Sequence, residues 1–329
     1  MFESHHPDNM KRTILLSALA AGLLSAALFQ ACEKQPAKEI DNTETETPEK
    51  ETFQTWPEAG KEDAVYITNG RIQIGVDLER GGAIFHFSTA EDKRNLLNHN
   101  DEGRFVQQSY YGDSDGSKWN GAAWRWNPVQ GGSWQGKKAR VSYKNIKEDE
   151  ITIVTVPMHW ATGEELTECS MKEFIRLEGD CAHIRYTFTN TGKAHAARHQ
   201  EMPAVFCDYD LGTLVYYSGK QPWTGGALTR VVPKNLSDGA TNQYATRTEE
   251  WAAYVDSSDH GIGAYTPGTK DMTYYTFGHG PGGAAKPSCS YFAPIRTLAV
   301  TKDLNLVYDV YLTIGSLDQI RSRFQALKK

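Results

Sequence analysis

The chain has 329 residues, 41 acidic against 35 basic side chains, and a formal net charge of −6. That mild negative charge, with no basic cluster interleaved with aromatics, argues against nucleic acid as a partner. No Gly-rich phosphate loop and no Cys-x-x-Cys pair occurs, so nucleotide binding and thioredoxin-like redox chemistry have no support.

From the N-terminus, Lys11-Arg12 precede a nearly unbroken apolar or small-residue run over 14–29, too short and too rich in small residues for a comfortable membrane span. It has the form of an export-signal core. The run ends in Leu28-Phe29-Gln30-Ala31-Cys32, which is similar to the bacterial lipobox, where a small residue precedes an acylated Cys. The expectation is a signal over 1–31, removed on export, with Cys32 as the lipid-anchored first residue. A plain secretory signal cleaved elsewhere is the alternative. Residues 32–62 are rich in Glu, Thr, Lys and Pro, with hardly any apolar side chain to bury, and are expected to form a solvated tether. The expected location is therefore the cell envelope, periplasmic or at the outer-membrane surface, with the lipid as membrane partner.

Residues 63–329 are expected to fold as one large β domain of about 265 residues. Val65-Tyr66-Ile67-Thr68 and the run from Arg71 to Val76 flank Asn69-Gly70, the two-residue signal for a type I′ hairpin. Further strand candidates are 83–88, 140–146, 151–158, 166–177, 181–190, 204–207, 213–217, 251–255, 261–265, 272–277, 291–300 and 306–314. Several mix alternation with β-branched and aromatic residues, as half-buried antiparallel strands do. Only the C-terminus has helical spacing: Leu317, Ile320, Phe324 and Leu327 share a face, Ser316 and Gln319 are placed as a capping box, and the helix is expected at the sheet edge. A dozen strands without interleaved helices point to an all-β protein, a large antiparallel β-sandwich with a short C-terminal helix.

Cys169, Cys181, Cys207 and Cys289 allow three pairings in an oxidising compartment. A hairpin turning at Gly179-Asp180 sets Cys169 and Cys181 about 30 Å apart, which argues against that pairing. Free buried thiols are the other reading.

Two stretches carry the candidate chemistry. Between Arg104 and Trp134, four of the eight Trp fall within sixteen residues, interleaved with Gly, Asp, Ser and Asn, which make loops. Gln107, Tyr110, Tyr111, Trp119, Trp124, Trp126, Asn127, Gln130 and Trp134 are the candidate sugar-contacting residues. A sugar stacks its C–H face on a ring while its hydroxyls seek amides and charged groups around the edge. The alternative is that these rings cap the core beneath a long loop. The second stretch, 190–210, places several ionisable groups where a strand is expected to end. Glu201 and His199 are candidate acid or base, with Arg104 available to stabilise negative charge. Asp208 and Asp210, two apart on an extended segment, would share a face as paired acids, sugar ligands or a calcium site, calcium being the one cofactor entertained. His195, His199 and Glu201 need not converge on a metal outside a helix.

The hairpin at Asn69-Gly70, the Gly81-Gly82-Ala83-Ile84 turn, the Asn95-Leu96-Leu97-Asn98 run, the strand over 183–192 and the segment His199-Gln200-Glu201-Met202-Pro203 together resemble the galactose-mutarotase-like β-supersandwich. That architecture is shared by aldose 1-epimerases and by domains of glycosidases and polysaccharide lyases. The epimerases' Asn-His-x-Tyr-Phe-type run is missing here. The resemblance thus implies a glycoside hydrolase or polysaccharide lyase working on a longer glycan, rather than a free-sugar epimerase. A non-catalytic glycan-binding lipoprotein uses the same aromatic cleft and is the competing reading.

Overall fold

Alternation sets the strands. In Glu150–Val156 every second residue is buried, and the hairpin of Cys169–Glu178 with Cys181–Asn190 repeats that period over ten residues on each side. The computed structural model describes residues 53–58, 61–99, 103–280 and 287–328. The expected signal, Cys32 and most of the tether lie outside the described residues.

Two large antiparallel sheets dominate. The nine-stranded sheet runs, edge to edge, Thr229–Val231, Thr213–Tyr216, Trp251–Val255, His260–Tyr265, Leu304–Ser316, Cys181–Asn190, Cys169–Glu178, Glu150–Val156 and Arg140–Ile146. The seven-stranded sheet runs Met158–His159, Pro128–Val129, Gln107–Ser109, His195–Cys207, Cys289–Val300, Asp271–Phe277 and Gln243–Thr246. A three-stranded sheet of Ala64–Thr68, Ile72–Asp77 and Ala83–Thr89 adjoins them, and a separate hairpin pairs Ser114–Trp119 with Ala122–Arg125. One core joins the sheets: Ile153, Ile175, Ile184 and Phe188 from the first meet Met202, Val205 and Phe292 from the second, and Ile74, Val76 and Phe87 from the third. The antiparallel all-β sandwich expected from the strand pattern is what forms.

Local expectations fare unevenly. Glu178 pairs with Cys181, so the turn at Gly179-Asp180 is as expected and Cys169 sits opposite Asn190 at the far end. Cys169, Cys181, Cys207 and Cys289 are all buried, and no disulfide joins them. The first hairpin departs from a two-residue turn. Thr68 pairs with Gln73, leaving four loop residues, and the Asn69 side-chain oxygen accepts from the backbone N–H of Arg71 and Ile72. Asn drove the turn through its side chain, not only through its backbone tolerance.

Part of the expected tether is docked. The Trp56 backbone N–H donates to Gln73 Oε1 at 2.7 Å, its ring N–H donates to Ser88 Oγ at 2.8 Å, and Asn95 Nδ2 donates to Glu58 at 2.9 Å. Trp56 and Glu58 together hold the segment against the three-stranded sheet and the run that follows it.

The C-terminal helix, Leu317–Leu327, carries the expected capping box at Ser316 and Gln319. It lies on the face of the nine-stranded sheet, not at its edge, packing Ile320 and Phe324 against Trp251 and Tyr265. Gly263 makes room, since a Cβ there would stand 2.6 Å from Ile320.

Candidate functional site

The site grows out of the strand His195–Cys207. The strand expected to end near residue 190 does end at Asn190, and the ionisable residues beyond it lie on a new strand of thirteen residues, of which only 204–207 was expected. Ala197, His199 and Glu201 alternate onto the outer face, while Gln200 and Met202 turn inward. Register shifts against both neighbours between Glu201 and Val205 mark a bulge. Bulges re-aim side chains, and this one leaves Glu201 and Ala204 lining the same cavity.

Glu201 is the focus. Its Oε1 accepts from the Tyr291 hydroxyl at 2.6 Å and the Tyr111 hydroxyl at 2.9 Å. Burial raises the carboxyl pKa, and the hydrogen bonds from the two tyrosines oppose that rise only in part. Burial beside this carboxyl pushes both phenols well up, so they remain neutral donors. Gln200, fully buried, fixes the arrangement: its side chain accepts from the Tyr111 N–H at 2.7 Å and donates to the Tyr111 carbonyl at 2.9 Å.

Around Glu201 a cleft opens in two adjoining compartments. One, of about 250 Å³, is walled by Trp119, Trp124, Trp160, Tyr275 and Tyr291, with Arg104, Ser109 and Asn127 among its polar lining. The other, of about 490 Å³, is lined by Arg125, Arg198, His199, Tyr244, Thr273 and Thr297. Tyr111, Trp124, Asn242 and Glu201 belong to both. The aromatic wall is interlocked: Trp119 meets Trp124 edge-on at 4.7 Å and Trp160 at 6.0 Å, and Trp124 donates to Asn127 Oδ1 at 3.2 Å. Trp119, Trp124 and Arg125 ride on the Ser114–Trp119 and Ala122–Arg125 hairpin. Asp115 anchors it through His159 at 2.7 Å, and Asp113 contacts Arg198 at 3.5 Å. Gly112 at its base has no space for a Cβ, which would meet the His195 and Trp126 rings at 2.7 and 2.8 Å.

Of the residues singled out from the sequence, Glu201, His199, Arg104, Gln107, Tyr111, Trp119, Trp124 and Asn127 line this cleft. The Gln107 amide is already committed to the Gly103 carbonyl and the Gly131 N–H. Arg104 lies over the Phe277 ring at 4.9 Å. The others are corrected. Tyr110 is fully buried in the sandwich, stacked on Phe188 at 4.0 Å, because neighbours in a strand face opposite sides. Trp126 is buried and stacked on His195 at 4.2 Å. Gln130 is buried in the core and donates to Glu173 and to the Gly81 carbonyl. Trp134 lies outside the cleft, tied to the Ala161 carbonyl. Asp208 and Asp210 also lie outside it. They form a turn in which the Asp210 N–H donates to Asp208, and both carboxylates reach Arg94, at 3.2 and 3.4 Å. A guanidinium thus stands where calcium was entertained, and no grouping of three or more His, Cys, Asp or Glu suited to a metal occurs among the described residues. Gly112-Asp113-Ser114-Asp115-Gly116 has the spacing of a serine-hydrolase elbow, but it lies in a β-hairpin with Ser114 exposed, not in a strand-to-helix turn.

Sequence reasoning missed Tyr291, Tyr275, Trp160, Ser109 and Gln200. Tyr275 and Tyr291 pair across neighbouring strands and stack at 4.3 Å, yet along the sequence they look like ordinary strand aromatics.

No family model matches the chain, and no curated protein matches it either. Solved structures similar to it include a protein from Escherichia coli K12 provisionally assigned as an aldose 1-epimerase, with 12% identity over 77% of this chain and 99% of that one and a TM-score of 0.49. A galactose mutarotase-like protein from Lactobacillus casei has 12% identity, coverage of 76% and 99%, and a TM-score of 0.47. A 4-alpha-glucanotransferase from Thermococcus litoralis has 10% identity over 76% of this chain and 37% of its own, with a TM-score of 0.44.

Proposed function

We propose that the protein is a carbohydrate-active enzyme that cleaves an oligo- or polysaccharide, with Glu201 as the group that exchanges a proton with a sugar oxygen. One observation carries the reading: a carboxyl with a raised pKa, held by the hydroxyls of Tyr111 and Tyr291, stands where two compartments walled by indole rings meet. A raised pKa keeps the acid protonated nearer to neutral pH, where general-acid catalysis needs it. Trp119, Trp124 and Trp160 supply the faces on which sugar rings stack, and the amide of Asn127 and the hydroxyl of Ser109 lie beside them. Two compartments on either side of the acid suit a chain that continues past the bond being broken.

The same proposal places the protein at the cell envelope. Its basis is the run over 14–29 ending at Cys32, with the polar segment beyond it as a tether. Replacing Cys32 by Ser is expected to move the protein from the membrane fraction to the soluble exported fraction.

The enzyme test is a polysaccharide panel incubated with the full chain. New reducing ends alone indicate hydrolysis; reducing ends with the absorbance of unsaturated uronates indicate elimination. Glu201→Gln is expected to abolish either product. Binding with no product from any glycan favours the non-catalytic reading, in which the same cleft holds the sugar without breaking it.

A further inference from the structure

The cleft differs in charge from the molecule around it. The chain as a whole carries 41 acidic and 35 basic side chains. The described lining of the two compartments reverses that balance, with Arg104, Arg125, Arg198 and His199 against the single carboxyl of Glu201. Three of these cationic or titratable side chains belong to the larger compartment. His199 stands on the same strand face as Glu201, two residues away, and opposite Thr297. Arg198 precedes it, next to the register shift between His195 and Arg198 that breaks strict alternation, so both neighbours reach the compartment. Arg125 comes from the overhanging hairpin, its guanidinium 5.8 Å from the Trp124 ring centre.

One of these guanidiniums is only weakly satisfied by the protein. Arg198 touches Asp113 at the long distance of 3.5 Å, and its buried Nε has no hydrogen-bond partner among the described residues. Two guanidiniums and an imidazole gathered on the wall of one compartment, with the hydroxyls of Thr273 and Thr297 alongside, form a site for a planar or tetrahedral oxyanion. The indole of Trp124 is shared with the sugar-stacking compartment, so the anion and the stacked ring lie on one ligand.

We infer that the substrate is an acidic glycan whose carboxylate or sulfate is held in the larger compartment by Arg125, Arg198 and His199. The inference rests on the carbohydrate reading of the cleft and adds the chemical class of the substrate. It explains why an anionic protein places three arginines around its one cleft carboxyl: they attract the polymer and set its register against Glu201.

The test uses the full chain with three probes: oligogalacturonate for the carboxylate, a sulfated galactan fragment for the sulfate ester, and a neutral galactan fragment of similar length. At low salt at least one acidic probe is expected to bind about tenfold or more tighter than the neutral one, and to weaken as salt is raised. Arg198→Gln and Arg125→Gln are each expected to weaken the acidic probe about tenfold while leaving neutral-probe binding within about twofold. Arg125 sits on an exposed hairpin, so its variant stands as a test should the Arg198 variant misfold. Which acidic probe binds separates carboxylate from sulfate. Equal binding of all three, unmoved by salt or by either substitution, overturns the inference. Glu201→Gln distinguishes the two proposals. If it keeps acidic binding and loses turnover, both stand. If a neutral glycan is cleaved through Glu201 and the arginine variants change nothing, the catalytic reading stands and the acidic substrate falls. If acidic glycan binds through the arginines and Glu201→Gln leaves turnover intact, the reverse holds.

Discussion

At the scale of single residues, the state of Glu201 decides what the cleft can do. Desolvation raises its pKa, and each tyrosine hydroxyl offsets part of that rise by stabilising the carboxylate. An acid that must be protonated loses activity as pH rises through its pKa. Removing a donor that favours the ionised form moves that descending limb to higher pH. Tyr291→Phe is therefore expected to shift the basic limb of kcat upward, and Glu201→Gln to lower kcat by about 10²-fold or more, both read from a pH–rate profile. Gln200 touches no substrate surface and acts through Tyr111. Gln200→Ala is expected to lower kcat with little change in KM, because it loosens the hydroxyl that orients the carboxyl and leaves the indole wall intact. Trp124→Ala is expected to do the opposite, raising KM first, since it removes a stacking face from both compartments.

At the scale of elements, register separates what could be read from the sequence from what could not. Tyr110 and Tyr111 are adjacent and chemically alike, yet one is stacked inside the sandwich and the other holds Glu201. Only the phase of a two-residue period distinguishes them, and Gln107–Ser109 is too short to reveal a phase on its own. The strand His195–Cys207 was hidden for a related reason. Its first half puts Ala197, Arg198, His199 and Glu201 toward the cleft and only Gln200 inward, so no apolar alternation marks it. Strands flanking tight turns were legible, because Gly179-Asp180 and its neighbours carry the turn chemistry locally. Glu201 was legible as an acid among ionisable neighbours; Tyr291, brought in across the sheet from 90 residues away, was not. The C-terminal helix was legible from its capping box and apolar face, but not its docking place, which depends on Gly263 in a distant strand. Gly263→Val is expected to force Ile320 and Phe324 outward and lower stability by about 1–3 kcal/mol, read as an earlier melting transition. The cleft faces away from that helix's strands, so sugar binding at low temperature should persist.

At the scale of the whole molecule, the two sheets are joined by a polar cluster in the core as well as by apolar side chains. Gln130, beside the short strand Pro128–Val129, donates at 3.1 Å to Glu173, which is fully buried on the strand Cys169–Glu178 of the nine-stranded sheet. Nearby, the Tyr110 hydroxyl donates to Gln108 at 3.0 Å and reaches Tyr308 at 3.3 Å. Gln108 and Tyr110 alternate with Ser109 and Tyr111, so this cluster lies behind the strand that lines the cleft. Burial pushes the Glu173 pKa from 4.5 up to about 8. The folded protein therefore holds a proton there at pH values where the unfolded chain has released it, and stability falls as pH rises through that window. The slope from this one group approaches about 1.4 kcal/mol per pH unit between the two pKa values and vanishes above the higher. Glu173→Gln keeps the shape and cannot ionise. Melting temperatures of the two proteins, followed from pH 5 to 8, are expected to converge at the acid end and separate toward the alkaline end, with the variant the more stable. Parallel curves would mean that Glu173 is ionised in the fold. The cluster behind the cleft would then be an ion-bearing network, with Gln130 donating to a carboxylate where it now donates to a neutral acid.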